Sequence, residues 1–271
     1  MLDLNVRLIS ILGVLTVIVL AGLTLDYLGK FRQRIRLGLW VAILGIAAGS
    51  LFTLMAVLPE GKFYGPVFSE VKTSKKVVAL TFDDGPYPPY TGEILDILKE
   101  NNVPATFFVV GRNAEKYPEL LRRMAEEGHQ VGNHSYSHMD LLKADRNTIA
   151  QEVDRTSAII RNITGNLPVL VRPPHGFRDP LVMEMMAQRN LCVVEWSVAS
   201  RDWTNPGVQQ IVEQTLAKTK NGAIILLHDG DGIEQKASRQ QTVAAVRLII
   251  KGLKEKGYTF VTVGEILKPE E

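Results

Sequence analysis

A single cysteine, Cys192, occurs in the 271 residues. No internal disulfide can form, so an oxidising compartment would leave no covalent mark on this chain. Charge of one sign is lacking too. Lys and Arg number 31, Asp and Glu 29, and the net charge is +2. That balance argues against nucleic acid or a strongly acidic partner. Histidine is scarce at five residues, so any two close together stand out. The chain has no internal repeat and no low-complexity segment.

Long apolar runs are not lacking. Leu8 to Leu25 and Leu37 to Leu58 are free of Asp, Glu, Lys and Arg. Each is long enough in sequence for a ~30 Å hydrocarbon core. The first run lacks the short apolar region and small-residue cleavage site of a signal peptide. The pattern predicts a membrane anchor over residues 1–59, a two-helix transmembrane hairpin with helices at about 8–28 and 37–58. Lys30, Arg32, Arg34 and Arg36 lie between the runs, which places that loop in the cytoplasm by the positive-inside tendency. The remainder is then extracytoplasmic at the cell membrane, held to the lipid bilayer by its N-terminal helices. Residues 60–74 read as a linker and 75–271 as one domain with a full core.

Within that domain, short apolar, β-branched runs alternate with amphipathic helical patterns. The runs are Val77–Phe82, Thr106–Val110, Gln130–Gly132, Val169–Val171, Cys192–Trp196, Ala223–Leu227 and Thr259–Val263. Such alternation implies an α/β fold with parallel strands and covering helices. About seven strands predict a distorted (β/α) barrel, with a doubly wound open sheet as the rival. Polar residues collect just beyond the strand ends: Asp83 and Asp84, His134 and His138, Arg172, Asp202, and His228. In an α/β barrel, that face holds the active site.

Each of these residues has a plain reading and a chemical one. Asp83 and Asp84 sit in "LTFDDGPYPPY", where adjacent carboxylates oppose each other's ionisation. A nearby cation would make the pair tolerable. His134 and His138, four apart, would share a face if helical, or else mark a surface turn. Together with Asp84 they make three N/O ligands, the pattern of a catalytic metal site with one position left for water. Asp83 is then free to act as a base, or is simply a turn acceptor. Arg172 precedes Pro173 and Pro174, which stiffen the backbone, so it could hold and orient Asp83; otherwise it is a solvated surface residue. His228 is either a core-edge residue or a general acid. Asp202 could orient its imidazole, and Trp203 either walls a pocket or belongs to the core.

Five stretches in order resemble the polysaccharide deacetylase family, carbohydrate esterase family 4. They are "TFDDG" at Thr81–Gly85, "HSYSH" at His134–His138, "RPPHG" at Arg172–Gly176, "RDW" at Arg201–Trp203 and "LLH" at Leu226–His228. The resemblance covers roughly Val77 to Val263. It implies a metal-dependent hydrolase that removes N-acetyl groups from N-acetylated sugars. With the domain tethered outside the membrane, the expected substrate is a cell-wall or extracellular glycan of the GlcNAc or MurNAc type. By the family pattern Asp84, His134 and His138 hold a divalent metal, usually Zn²⁺. Asp83 is the base oriented by Arg172, and His228 is the acid backed by Asp202. His175 contributes its backbone N–H to the oxyanion, and Trp203 and Leu226 line the acetyl pocket. Two positions depart from the pattern: Ala199 stands where the fourth motif often has Asp, and His175 where the third often has Tyr. Two rival functions share the fold: a non-catalytic carbohydrate-binding barrel, and a hydrolase of another C–N amide bond.

Overall fold

The computed structural model describes residues 8–27, 33–59 and 61–268. Helices α1 (Leu8–Tyr27) and α2 (Gln33–Val57) form where the apolar runs lie. The expectation of a transmembrane hairpin is nonetheless corrected. Among the described residues, no helix is long and apolar enough to cross a membrane. The helical bounds do not coincide with the uncharged stretches: α1 runs on through Asp26, and α2 takes in Arg34 and Arg36. Contact with a bilayer through these helices is therefore unsupported. Lys30 and Arg32 of the connecting loop, and Glu60 at the start of the expected linker, lie outside the described residues.

The rest of the chain builds one parallel sheet. Its strands are β1 (Val67–Phe68), β2 (Val77–Asp83), β3 (Thr106–Val109), β4 (Gln130–Asn133), β5 (Leu170–Val171), β6 (Cys192–Val194), β7 (Val198–Ala199), β8 (Ala223–His228) and β9 (Thr259–Phe260). The order is β1-β6-β5-β4-β3-β2-β8-β7, with β9 also paired to β2. Every pairing between these strands is parallel. The covering helices are α3 (Tyr90–Glu100), α4 (Gly111–Lys116), α5 (Pro118–Glu126), α6 (Arg146–Thr164), α7 (Pro180–Ala187), α8 (Val208–Lys218), α9 (Gln240–Glu255) and α10 (Val263–Ile266). Local signals set several helix ends. Asp145 caps α6 and Gly165 closes it at φ 79°. Asp179 caps α7 ahead of Pro180, and Thr262 and Glu265 form a reciprocal capping box on α10.

Strands β6 and β7 lie near opposite ends of the strand order, yet only Glu195, Trp196 and Ser197 separate them. Four peptide steps reach at most ~14 Å, so the sheet must curl until its ends nearly meet. The bridging residues are shared between the two ends: Glu195 N–H donates to Phe68 O at 2.9 Å and Ser197 N–H to Ile224 O at 3.1 Å. The expected distorted barrel is thus an incompletely closed parallel α/β fold. Two short strands exceed the expected set: β7, and β1, which lies within the stretch read as linker and pairs with β6.

Strand parity then aims the side chains. On β2, Val78, Leu80 and Phe82 join the core beneath the helices, while Ala79 belongs to the inner cluster. On β8, Ile225 and Leu227 face the helices and Ile224 the interior. Side chains alternate along a strand, so Asp83, Leu226 and His228 fall on the interior face at the C-terminal end. The register pairs Asp83 directly with His228.

Candidate active site

All ten residues singled out in the sequence collect at this end of the sheet. Eight of them, Asp83, Asp84, His134, His138, His175, Trp203, Leu226 and His228, line an open cleft of about 620 Å³. Arg172 and Asp202 sit behind it, wholly buried.

Arg172 is wired on every side. Its Nη1 lies 2.6 Å from Asp83 Oδ1 and 2.9 Å from Thr81 Oγ1, Nη2 donates to Glu195 O, and Nε donates to Val194 O. The Phe108 ring covers the guanidinium at 4.2 Å. A buried cation needs this many partners, and the result is a rigid fork gripping Asp83.

Asp84 faces His134 and His138 instead. It takes up φ 78°, a left-handed conformation sparsely used by residues with a Cβ. One atom from each of the three residues falls in a group no wider than 4.8 Å. Asp84 Oδ1 is buried without a hydrogen bond, although His138 Nε2 lies 3.0 Å and His134 Nε2 3.4 Å away. The tautomer explains this for His134. Its Nδ1 lies 2.6 Å from the Arg172 carbonyl, which can only accept, so Nδ1 carries the proton and Nε2 turns a lone pair to the carboxylate. Converging lone pairs and an orphaned oxygen fit a cation. Burial alone would raise the Asp84 carboxyl; the facing histidines outweigh it and hold the carboxyl well below the usual range only when they carry positive charge, and a bound cation would act in the same direction.

The two histidines reach this arrangement without a helix. Ser135 (φ 62°) and His138 (φ 56°) are left-handed, so the four-residue spacing closes a loop rather than a helical turn. Glu152 on α6 holds that loop, accepting from Tyr136 N–H at 2.9 Å, Ser137 N–H at 2.8 Å and Ser137 Oγ at 2.9 Å.

On the other side, His228 Nδ1 lies 3.0 Å from Asp202 Oδ1, and His228 N–H donates to Asp202 Oδ2 at 2.8 Å. Thr242 and Ser200 hydroxyls complete the carboxylate's bonds. Burial would lower the His228 imidazole; Asp202 outweighs it and pushes the group up to about 9. The Trp203 ring stands edge-on to His228 at 5.2 Å, and the His175 ring likewise meets His138 at 4.8 Å.

A family model described as polysaccharide deacetylase matches residues 70–194. A chitooligosaccharide deacetylase of Sinorhizobium fredii is 42% identical over 192 residues, which is 69% of this chain and 89% of that one. The chain belongs to the polysaccharide deacetylase family. A peptidoglycan-N-acetylglucosamine deacetylase of Bacillus cereus is 37% identical over 206 residues, 75% of this chain and 94% of its own. A solved structure of a peptidoglycan N-acetylglucosamine deacetylase, in complex with 4-naphthalen-1-yl-N-oxidanyl-benzamide, superposes with a TM-score of 0.70 at 36% identity, covering 75% and 93% of the two chains.

In this deacetylase, residues that the sequence did not single out also pack around the cleft. Glu195, wholly buried and pushed up to about 8 by burial, faces Arg178 at 3.3 Å. Asp229, pushed up to about 7 chiefly by burial, lies behind the Asp83–Asp84 turn. Glu152 and Thr242 are the others. The one signal for Asp229 was its place after His228 at a strand end; Glu195, Glu152 and Thr242 carried none, since their partners lie far away in the chain.

Proposed function

We propose that the cleft hydrolyses the acetamide of N-acetylglucosamine residues in peptidoglycan, with Zn²⁺ as the metal. The reaction class is hydrolytic deacetylation of an N-acetylated glycan, as the family membership gives it. The observation carrying the residue roles is the placement of two differently partnered groups on one cleft floor. Asp83 is gripped by a guanidinium and His228 is backed by a carboxylate, and the Asp84–His134–His138 cluster lines the same cleft.

Asp84, His134 and His138 would hold the metal. When bound, it supplies a Lewis acid that polarises the acetyl carbonyl and makes water more acidic. Asp83, fixed by Arg172, accepts the proton of the attacking water. The His175 backbone N–H faces the developing oxyanion. His228 delivers its proton to the departing amine nitrogen as the C–N bond breaks, and Asp202 steadies the imidazolium. Leu226 and Trp203 enclose the acetyl methyl. Water's oxygen ends in acetate, and the sugar keeps a free amine. Ala199 removes no partner that His228 needs, because Asp202 is held by Ser200 and Thr242.

A polymeric cell-wall substrate supports an extracytoplasmic location for the domain over 75–271. The Sinorhizobium relative favours a second substrate, free chito-oligomers. The test is acetate release by the zinc-loaded protein from peptidoglycan and from N-acetylated chito-oligomers. Peptidoglycan should be the better substrate, and Asp83→Asn should keep its zinc and lose ~10²-fold or more in rate. No acetate from any N-acetylated glycan would sink the residue assignment, and a preference for chito-oligomers would sink the substrate.

A further inference from the structure

Asp229 is a buried carboxyl with no part in the steps above. Its Oδ1 accepts from Gly85 N–H at 3.1 Å, and its Oδ2 accepts from Thr91 Oγ1 at 2.6 Å. Thr91 Oγ1 in turn accepts from Tyr87 N–H at 2.8 Å. The backbone N–H groups of Asp229 and Gly230 both donate to Asp83 O, at 3.1 and 3.2 Å. From the opposite side, Asn113 Nδ2 donates to Asp84 O at 2.8 Å. The turn after β2 is thus tied on both sides, and Asp84 sits between the ties at φ 78°.

The glycine of the motif follows from the same contact. Gly85 does not have a left-handed φ; that conformation belongs to Asp84. A Cβ on Gly85 would lie 2.0 Å from Asp229 Oδ2 and 2.6 Å from Oδ1. Space, not backbone freedom, excludes a side chain there.

We propose that Asp229 is a positioning residue that holds Asp84 in its ligating conformation, and that Gly85 is glycine to admit the Asp229 carboxyl. A strained conformation persists only where its surroundings over-determine it, and Asp229 supplies the tie on the β8 side. Removing it lets Asp84 relax toward an ordinary φ, which carries its carboxylate away from His134 and His138. The proposal rests on Asp84 being a metal ligand. Partners behind metal ligands commonly govern affinity by ~10–100-fold.

The test measures zinc affinity of the full chain by chelator competition, beside the thermal midpoint of the zinc-free protein. Asp229→Ala and Gly85→Ala should each weaken zinc binding by ~10-fold or more. Asp229→Asn should stay within ~3-fold of the parent, because its Oδ1 still accepts from Gly85 N–H and the Thr91 hydroxyl can accept from Nδ2. Thr91→Val removes the tie on Oδ2 and with it the acceptor of Tyr87 N–H, leaves the Gly85 N–H bond to Oδ1 in place, and should weaken zinc a few-fold, about 3-fold; it serves where Asp229→Ala does not fold. Parental zinc affinity in Asp229→Ala, Gly85→Ala or Thr91→Val overturns the proposal, as does an Asp229→Asn that loses zinc as fully as Asp229→Ala. A parent chain that binds no zinc would overturn the metal reading itself, which the variants alone cannot do.

Discussion

Asp202 presents both carboxylate oxygens to His228, one to the ring and one to the backbone N–H. The sign of its effect is clear. The folded His228 is pushed up to about 9, above the ~6.5 of a free imidazole. The protonated acid therefore persists to alkaline pH, and the rate should fall as pH rises through that value. A cation bound at Asp84 would draw the limb lower. Asp202→Asn removes the charge that outweighs burial, so its alkaline limb should move down by at least about one unit with zinc still bound. A pH–rate profile checks this; an unmoved limb would assign the acid role elsewhere. The same group links to stability. Its contribution is fully present below the unfolded value of ~6.5 and is lost as pH rises through about 9. Arg172 makes the second prediction at this scale. Its four bonds leave from three nitrogens of one plane, which an ammonium cannot reproduce. Arg172→Lys should cost ~10²-fold in rate, the size of an impaired general base, with zinc content unchanged, as read by metal analysis beside acetate release.

At the scale of elements, β4 shows how packing reaches the chemistry. A Cβ on Gly132 would lie 2.6 Å from Phe108 Cδ1 and 3.3 Å from Leu170 O, and Phe108 covers Arg172. Gly132→Ala should therefore destabilise by ~1–3 kcal/mol and lower the rate together, through displacement of the Phe108 ring. Thermal unfolding and acetate release test the pair; a lower midpoint with an unchanged rate would separate Phe108 from Arg172. Elements were also where sequence patterning worked best and worst. The apolar runs on β2 and β8 are local, and alternation along them already aims Asp83 and His228 to one side. Strands β1 and β7 are two residues each, too short for periodicity; they exist because β6 and β8 offer them an edge. The His134–His138 spacing suited a helix equally well, and Glu152 on α6, the next α-helix in the chain, holds it as a loop.

For the whole molecule, the segment before β2 is part of the domain. Strand β1 pairs with β6, and Arg178 donates to Gly61 O at 2.9 Å and to Leu58 O. A chain beginning at Gly61 should fold and deacetylate. One beginning at Lys75 loses β1 and leaves Nη2 of the buried Arg178 guanidinium without its two acceptors, at a cost of ~1–3 kcal/mol for the unpaired group. Equal thermal midpoints for the two chains would show that β1 and these bonds contribute nothing. The N-terminal helices make the opposite point. Their apolar runs read as membrane spans, yet the helical bounds admit charged residues, and no helix among those described is long and apolar enough to cross.

What the sequence determined by itself was chemistry and order. Five short motifs at strand ends supplied the candidate residues, because residue type and strand period are local properties, and the family resemblance of those motifs supplied the expected roles. What only the tertiary structure decided was partnership. Asp83 meets Arg172 while Asp84 meets two imidazoles, and Asp229 reaches Gly85 across 144 residues. Such pairs depend on where a curled sheet brings distant strand ends; burial there raises a carboxyl such as Glu195, and only its histidine neighbours bring Asp84 down against the same burial. No local propensity encodes a neighbour that arrives from another strand.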